Sequence, residues 1–246
     1  MGTLDAILLG GGLGKRFGSP KQFQTLGNSP VFIHALRGFL DMDCFRQIVL
    51  AFPESHLDQA REMIDSLIPP QNKSIIRVIA GGNRRQDSSC LALAAIEEMT
   101  PLPTRVLIHD ACRPFLSRDF LERVKGSLLD RAYGAWVPVV PVVDTLKKVE
   151  KNQVIETVDR ETVQRVQTPQ IFEYAVIRSL AEKAKRMQIN FTDDASLCEY
   201  YGIPVGTFEG DVRNIKLTYD FELETLKRML TSEEKCDPEP ATTYTV

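Results

Sequence analysis

Short apolar runs and stretches with helical spacing alternate along most of this chain. Leu4–Leu9 is largely apolar and closed by glycine. Pro30–Leu40 then places Phe32, Ile33, Leu36 and Phe39 on one helical face, with Pro30 suited to a first turn. Gln47–Phe52 is the next apolar run and Glu54–Leu67 the next helix, followed by Ile75–Ala80 and a helix over Asp87–Met99. Arg105–Ile108 runs into His109 and Asp110, Arg118–Leu129 is helical, and Tyr133–Val140 is again strand-like. This order predicts an α/β fold, a Rossmann-like and mostly parallel sheet with helices on both faces. In such sheets ligands sit beyond the carboxyl ends of the strands. Gly10–Gly12, Gly81-Gly82 and His109-Asp110 all fall at those ends.

The alternation breaks after Val140. Val142–Glu150 and Gln153–Val158 are β-branched and charged, and they meet at Lys151-Asn152. Their interleaved Lys, Glu and Gln cannot all be buried, so a projecting β-hairpin arm over 142–160 is expected. An isolated hairpin is marginal in water, which points to support from a second subunit. Helical spacing resumes at Tyr174–Met187 and Ala195–Tyr200, then a strand at Pro204–Phe208 and a last helix at Tyr219–Leu230. One domain over 1–230 is therefore expected. The stretch 231–246 mixes charge, Pro and Thr without periodicity and is expected to be a disordered tail.

Composition narrows the possibilities. A formal net charge of −3 gives no basic field for nucleic acid, and no apolar run is long enough to span a bilayer. Five cysteines, odd in number and without a CxxC pair, fit reduced thiols and a cytoplasmic location. The three histidines lie far apart, so a histidine metal cage is not expected.

The glycine stretch Gly10-Gly11-Gly12-Leu13-Gly14-Lys15-Arg16 carries the chemistry. It is not a P-loop, because Lys15 is followed by Arg16 where Ser or Thr is needed. Nor is it a GxGxxG fingerprint: counted from Gly10 the last glycine is replaced by Lys15, and from Gly12 by Phe17. GGxGxR followed by Pro20-Lys21 resembles the signature of nucleotidylyltransferases. Glycines allow backbone N–H groups close to a triphosphate, and Arg16 and Lys21 can neutralise charge developing on a phosphoryl group.

Further motifs keep the same order: AGGNRRQDS (80–88), HDACRPF (109–115), PVVDTLKKV (141–149), TVDR (157–160), QTPQIF (167–172), FTDDAS (191–196) and EGDVRNIKLT (209–218). Together they resemble the 2-C-methyl-D-erythritol 4-phosphate cytidylyltransferase family of the non-mevalonate isoprenoid pathway, over residues 4 to about 230. The resemblance implies CTP and a sugar-alcohol phosphate as substrates, a CDP-alcohol and pyrophosphate as products, Mg2+ as cofactor, and a homodimer with clasped arms. It implies that Arg16 and Lys21 stabilise the transition state, while Arg160 and Lys216 position the attacking phosphate. Thr145 and Thr168 correspond to alcohol contacts, with Thr145 and Arg160 supplied by the neighbouring subunit. Gly10, Gly82, Asn83 and Ser88 fall where the family reads cytosine, and Gly11 and Gly12 complete the phosphate loop. Asp110 falls near the ribose and metal end. The loop between Arg16 and Lys21 is about two residues shorter than in some members.

The chemistry suits this set. A phosphate monoester has a second pKa of about 6 and attacks as a dianion, so no general base is required. Positioning and charge neutralisation then supply the rate. Cytosine presents an exocyclic amine, which carbonyls on a glycine-lined loop can accept. Plainer readings exist for several residues. Asp110 can cap a turn before Pro114, Arg113 can be its structural partner, and Arg84 and Arg85 can fix their loop. Cys112 reads as a small buried thiol, Thr192–Asp194 as a helix start, and Trp136 as core. The competing functions are a ribitol-5-phosphate cytidylyltransferase, which shares the loop, HDA and TPQ elements, and a non-catalytic nucleotide-binding protein on the same fold.

Overall fold

The computed structural model describes residues 3–12 and 20–236; the expectations for Arg16 and for residues 237–246 lie outside the described residues. The chain opens with β1 (Leu4–Leu9), a 3-10 helix at Lys21–Phe23, the short pair β2 (Thr25–Leu26) and β3 (Ser29–Pro30), and α1 (Val31–Leu40). Then come β4 (Phe45–Phe52), α2 (Leu57–Leu67), α3 (Pro70–Lys73), β5 (Ile76–Ala80), α4 (Arg85–Ile96), β6 (Arg105–Asp110) and α5 (Arg118–Leu129). The second half holds β7 (Ala135–Pro141), β8 (Leu146–Glu150), β9 (Gln153–Val158), β10 (Gln164–Val166), β11 (Gln170–Glu173), α6 (Tyr174–Met187), α7 (Asp194–Tyr200), β12 (Val205–Glu209) and α8 (Asp220–Cys236).

Strand β1 lies in the middle of an eight-stranded sheet, with β4 and then β5 on one side and β6 on the other, all parallel. Beyond β6 the antiparallel β11 leads to β7, which also pairs with antiparallel β10 and parallel β12. The chain moves outward through β4 and β5, then returns to the opposite side of β1. That reversal leaves a crevice at the carboxyl ends of β1 and β6, the switch point where open α/β sheets bind ligands.

Alternation along β1 divides the core in two. Ala6 and Leu8 face α1, α2 and α5 through Phe32, Leu36, Phe39, Ile64 and Phe120. Ile7 and Leu9 face α4, α6 and α7 through Leu93, Ile96, Ile177, Leu180 and Leu197. All four β1 residues are buried, as expected for a strand covered on both faces.

The arm forms as expected. β8 and β9 pair antiparallel in a sheet of their own, and Lys151 and Asn152 both take positive φ (48° and 66°), the conformation of a tight hairpin turn. Val149, Val154 and Ile155 on it are half exposed or more, at 54%, 56% and 50%. One boundary moves. The sequence reading ends the last helix at Leu230, but α8 runs to Cys236, so Thr231–Cys236 is helical. Apolar periodicity marks the buried face of a helix and not its length, and Glu and Lys are good helix formers without it.

Candidate functional site

A cavity of about 470 Å³ occupies the switch-point crevice. Gly10, Gly11 and Gly12 line it from the end of β1, Asp110 and Cys112 from the end of β6, and Asn83, Arg84, Arg85 and Ser88 from the start of α4. Lys21, Gln22, Lys216 and Thr218 complete the wall. Among the described lining residues four side chains are cationic (Lys21, Arg84, Arg85, Lys216) and one, Asp110, is acidic. This surplus suits a polyanionic ligand.

The glycines are needed where the backbone meets a ring or a side chain. A Cβ on Gly10 would lie 2.3 Å from the Phe52 ring, and one on Gly11 would lie 2.5 Å from Ser88 Oγ. Ser88 Oγ in turn accepts the Gly82 N–H at 3.0 Å, tying the second glycine pair to α4. Gly82 therefore supports the wall without lining it.

Asp110 is 5% exposed and held on three sides. Lys216 Nζ lies 2.7 Å from Oδ2, Arg85 Nε 3.2 Å from Oδ1, and Arg113 Nε 3.6 Å from Oδ2. Burial alone would raise the carboxyl pKa, but Lys216, Arg85 and Arg113 hold it well below the usual carboxylate range. Arg85 also reaches Asp194 Oδ2 at 2.6 Å, and Ser89 Oγ donates to Asp194 Oδ1 at 2.6 Å. Burial works against the Arg85 charge, yet Asp194 and Asp110 raise its pKa overall. Arg85 is thus a bridge between two buried carboxylates. Its sequence context suggests a loop-fixing residue; the signal for more is its place in the first turn of a helix that begins at a strand end.

Thr168 is buried, and its hydroxyl is engaged inside the protein. Oγ1 accepts the Asp110 N–H at 3.1 Å and lies 2.9 Å from His109 Nδ1. His109 Nε2 faces the Arg113 carbonyl at 3.1 Å. The Arg113 carbonyl can only accept, so Nε2–H donates to it; in the neutral ring Nδ1 then accepts from the Thr168 hydroxyl. Burial pushes the His109 pKa down to about 4. With both nitrogens occupied, His109 is a structural histidine and not a general base.

Lys216 is carried by a segment fastened at several points. Arg113 Nη1 donates to the Asn214 carbonyl at 2.7 Å, Asn214 Nδ2 donates to the Thr168 carbonyl at 2.7 Å, and Leu217 N–H donates to the Cys112 carbonyl at 2.9 Å. Of the expected site residues, the structure brings together Gly10, Gly11, Gly12, Lys21, Asn83, Ser88, Asp110 and Lys216. Arg160 and Thr145 do not line this cavity. Arg160 begins a 3-10 helix just after β9, at the base of the arm, and donates from Nη1 to the Val143 carbonyl at 2.9 Å, while Thr145 is exposed just before β8. Sequence reasoning missed Gln22 and Thr218, neither of which carries charge. Burial pushes the Cys112 thiol pKa up, in keeping with a packed thiol.

Among the described residues no group of three or more His, Cys, Asp or Glu side chains is placed to hold a metal. A single carboxylate is nevertheless enough for Mg2+, which keeps waters and takes most of its other ligands from substrate phosphates. Asp110 fits that role by donor type.

An open sheet with a glycine loop and clustered cations at its switch point defines an α/β domain of the nucleotide-handling class. The model of the family described as IspD, 2-C-methyl-D-erythritol 4-phosphate cytidylyltransferase, matches residues 4–232, and the chain belongs to that family. A protein of that name from Aquifex aeolicus is 37% identical over 229 residues, which cover 93% of this chain and 98% of the relative. The bifunctional enzyme IspD/IspF of Bartonella bacilliformis is 36% identical over 235 residues, covering 93% of this chain but 57% of the relative. The chain therefore spans somewhat more than half the length of its bifunctional relatives. The crystal structure of 2-C-methyl-D-erythritol 4-phosphate cytidylyltransferase from Thermus thermophilus superposes with a TM-score of 0.70 at 29% identity, covering 94% of this chain and all of that one (100%).

Proposed function

We propose that the protein transfers a cytidylyl group from CTP to 2-C-methyl-D-erythritol 4-phosphate, releasing pyrophosphate by direct attack on the α-phosphate. The observation that carries this reading is the placement of Lys21 and Lys216 on one cavity with the glycine loop. The attacking phosphate is already a dianion near neutral pH, so the barrier is the approach of one anion to another. Lys21 and Lys216, on the same cavity wall, lower that barrier by neutralising charge, and the glycine backbone holds the triphosphate beside them. That His109 is buried and neutral agrees with a reaction that needs no proton acceptor. Asp110 is the side chain that would hold Mg2+, which when bound would supply positive charge to offset that of the triphosphate.

In this reading Arg160 and Thr145 act in a neighbouring copy's cavity, delivered by the arm of a homodimer, and the protein works in the cytoplasm. Support for the dimer comes from the arm's half-exposed Val149, Val154 and Ile155 and from the position of Arg160 outside its own chain's cavity. No described helix is long and apolar enough to cross a membrane. The test is pyrophosphate release with each of the four common nucleoside triphosphates and either methylerythritol phosphate or ribitol 5-phosphate. CTP with methylerythritol phosphate should be the preferred pair by at least an order of magnitude. Equal or faster turnover with ribitol 5-phosphate, or none with any pair, would overturn the assignment.

A further inference from the structure

Gln22 follows Lys21 in the 3-10 helix that leads out of the glycine segment, and it is only 2% exposed although it touches the cavity wall. Its Nε2 donates to the Gly10 carbonyl at 2.5 Å and reaches the Gly12 carbonyl at 3.3 Å. A primary amide has two N–H groups, and here Nε2 lies within hydrogen-bonding distance of two carbonyls of one loop. On the other side of the 3-10 helix, Phe23 packs against Phe32, Phe52 and His56 at ring-centroid distances of 5.4, 5.2 and 5.3 Å. Gly10 rests on the same Phe52 ring, close enough that a Cβ would collide with it. The segment bearing Lys21 and the segment bearing the glycines are therefore joined twice, by an amide clamp and by a shared aromatic ring.

We propose that Gln22 is a positioning residue for nucleotide binding, acting through the glycine loop and Lys21. The proposal rests on the nucleotidyl-transfer reading above. Consecutive glycines have little intrinsic preference for one backbone conformation, so their orientation must be imposed from outside. By holding the Gly10 and Gly12 carbonyls on its own amide, Gln22 keeps those oxygens from turning toward a bound triphosphate, where they would repel it. The same two bonds fix the distance between the loop backbone and Lys21, one residue before Gln22. The Gly10 carbonyl, a candidate acceptor for the cytosine amine by sequence, already accepts this hydrogen bond.

Gln22→Met keeps length and burial but removes both donors, and Gln22→Glu keeps the shape while setting acceptor oxygens against two carbonyls. In the intact chain, Gln22→Met should raise KM for CTP about tenfold, the size expected for the loss of the one fully buried bond of the pair, that to the Gly10 carbonyl. KM for the alcohol phosphate should stay within twofold and the melting temperature close to wild type, and Gln22→Glu should be worse than Gln22→Met. An unchanged KM for CTP, or equal rises in both KM values together with a lowered melting temperature, would overturn the proposal. If the wild-type chain shows no turnover, the nucleotidyl-transfer reading fails first. Calorimetric titration with CTP then tests Gln22 on its own: a Kd about tenfold weaker in Gln22→Met upholds the clamp, and an equal Kd or no CTP binding by the wild type refutes it.

Discussion

Lys216 Nζ sits 2.7 Å from Asp110 Oδ2, a charge-assisted contact between residues 106 positions apart in sequence. The lysine proposed to steer the attacking phosphate is thus held by the one acidic side chain of the described cavity wall. Asp110 also receives Arg85 and Arg113, so it remains compensated when Lys216 turns toward a phosphate. Lys216 keeps a side-chain exposure of 38%, enough to let it move. Lys216→Met should lower kcat/KM by about two to three orders of magnitude, as for other lost phosphoryl-site cations, with the melting temperature nearly unchanged. Steady-state pyrophosphate release checks this, and near-normal turnover would remove Lys216 from the proposed mechanism.

Arg85 bridges Asp110 and Asp194, whose side chains are both 7% exposed. Arg85→Ala leaves two buried carboxylates with fewer partners and should cost about 3 kcal/mol of stability. Arg85→Lys retains the charge but cannot fork to both, so its loss should be smaller. Urea denaturation of the two variants measures the difference; equal loss in both would mean that the forked geometry contributes nothing.

His109 gives the protein an acid sensitivity of definite sign. Its folded pKa of about 4 lies below the ordinary value of 6.5, so the unfolded chain binds the extra proton first as pH falls. The stability tied to neutral His109 is fully present above about pH 6.5 and declines toward pH 4, by about 3 kcal/mol in all. His109→Gln, measured by denaturation at several pH values, should flatten the curve in that interval. A wild-type curve already flat between those two pH values would contradict the burial argument.

The arm's role can be tested by mixing chains. Arg160→Ala and Lys216→Ala should each be nearly inactive alone. If an arm completes the neighbouring cavity, their heterodimer holds one site with both residues intact and should recover up to about half of the activity per site. Pyrophosphate release by purified heterodimers is the measurement, and no recovery would confine each site to a single chain.

Much of this architecture is legible in the residues. Val31–Leu40, Arg118–Leu129 and Tyr174–Met187 carry apolar positions at helical spacing, and those helices form within a residue of expectation. The hairpin at Lys151-Asn152 is legible because exposed charge alternates with β-branched residues on both sides. The reversed direction of β11 is not, because a short, largely buried strand carries no mark of parallel or antiparallel pairing. Thr168 shows how motif reading can find the right residue without its contacts. The structure turns its hydroxyl onto His109 and the Asp110 backbone, a geometry invisible until β6 and the segment before β11 lie side by side.

The sequence alone determined the local elements, the glycine-rich strand end and the inventory of cations, because periodicity and backbone freedom are properties of neighbouring residues. Tertiary structure decided which charges meet. Asp110 joins Arg85 across 25 positions and Lys216 across 106, and Gln22 folds back onto carbonyls 12 and 10 positions earlier. Such contacts depend on strand order and on the crossover that returns the chain to β6, and short-range patterns do not encode either.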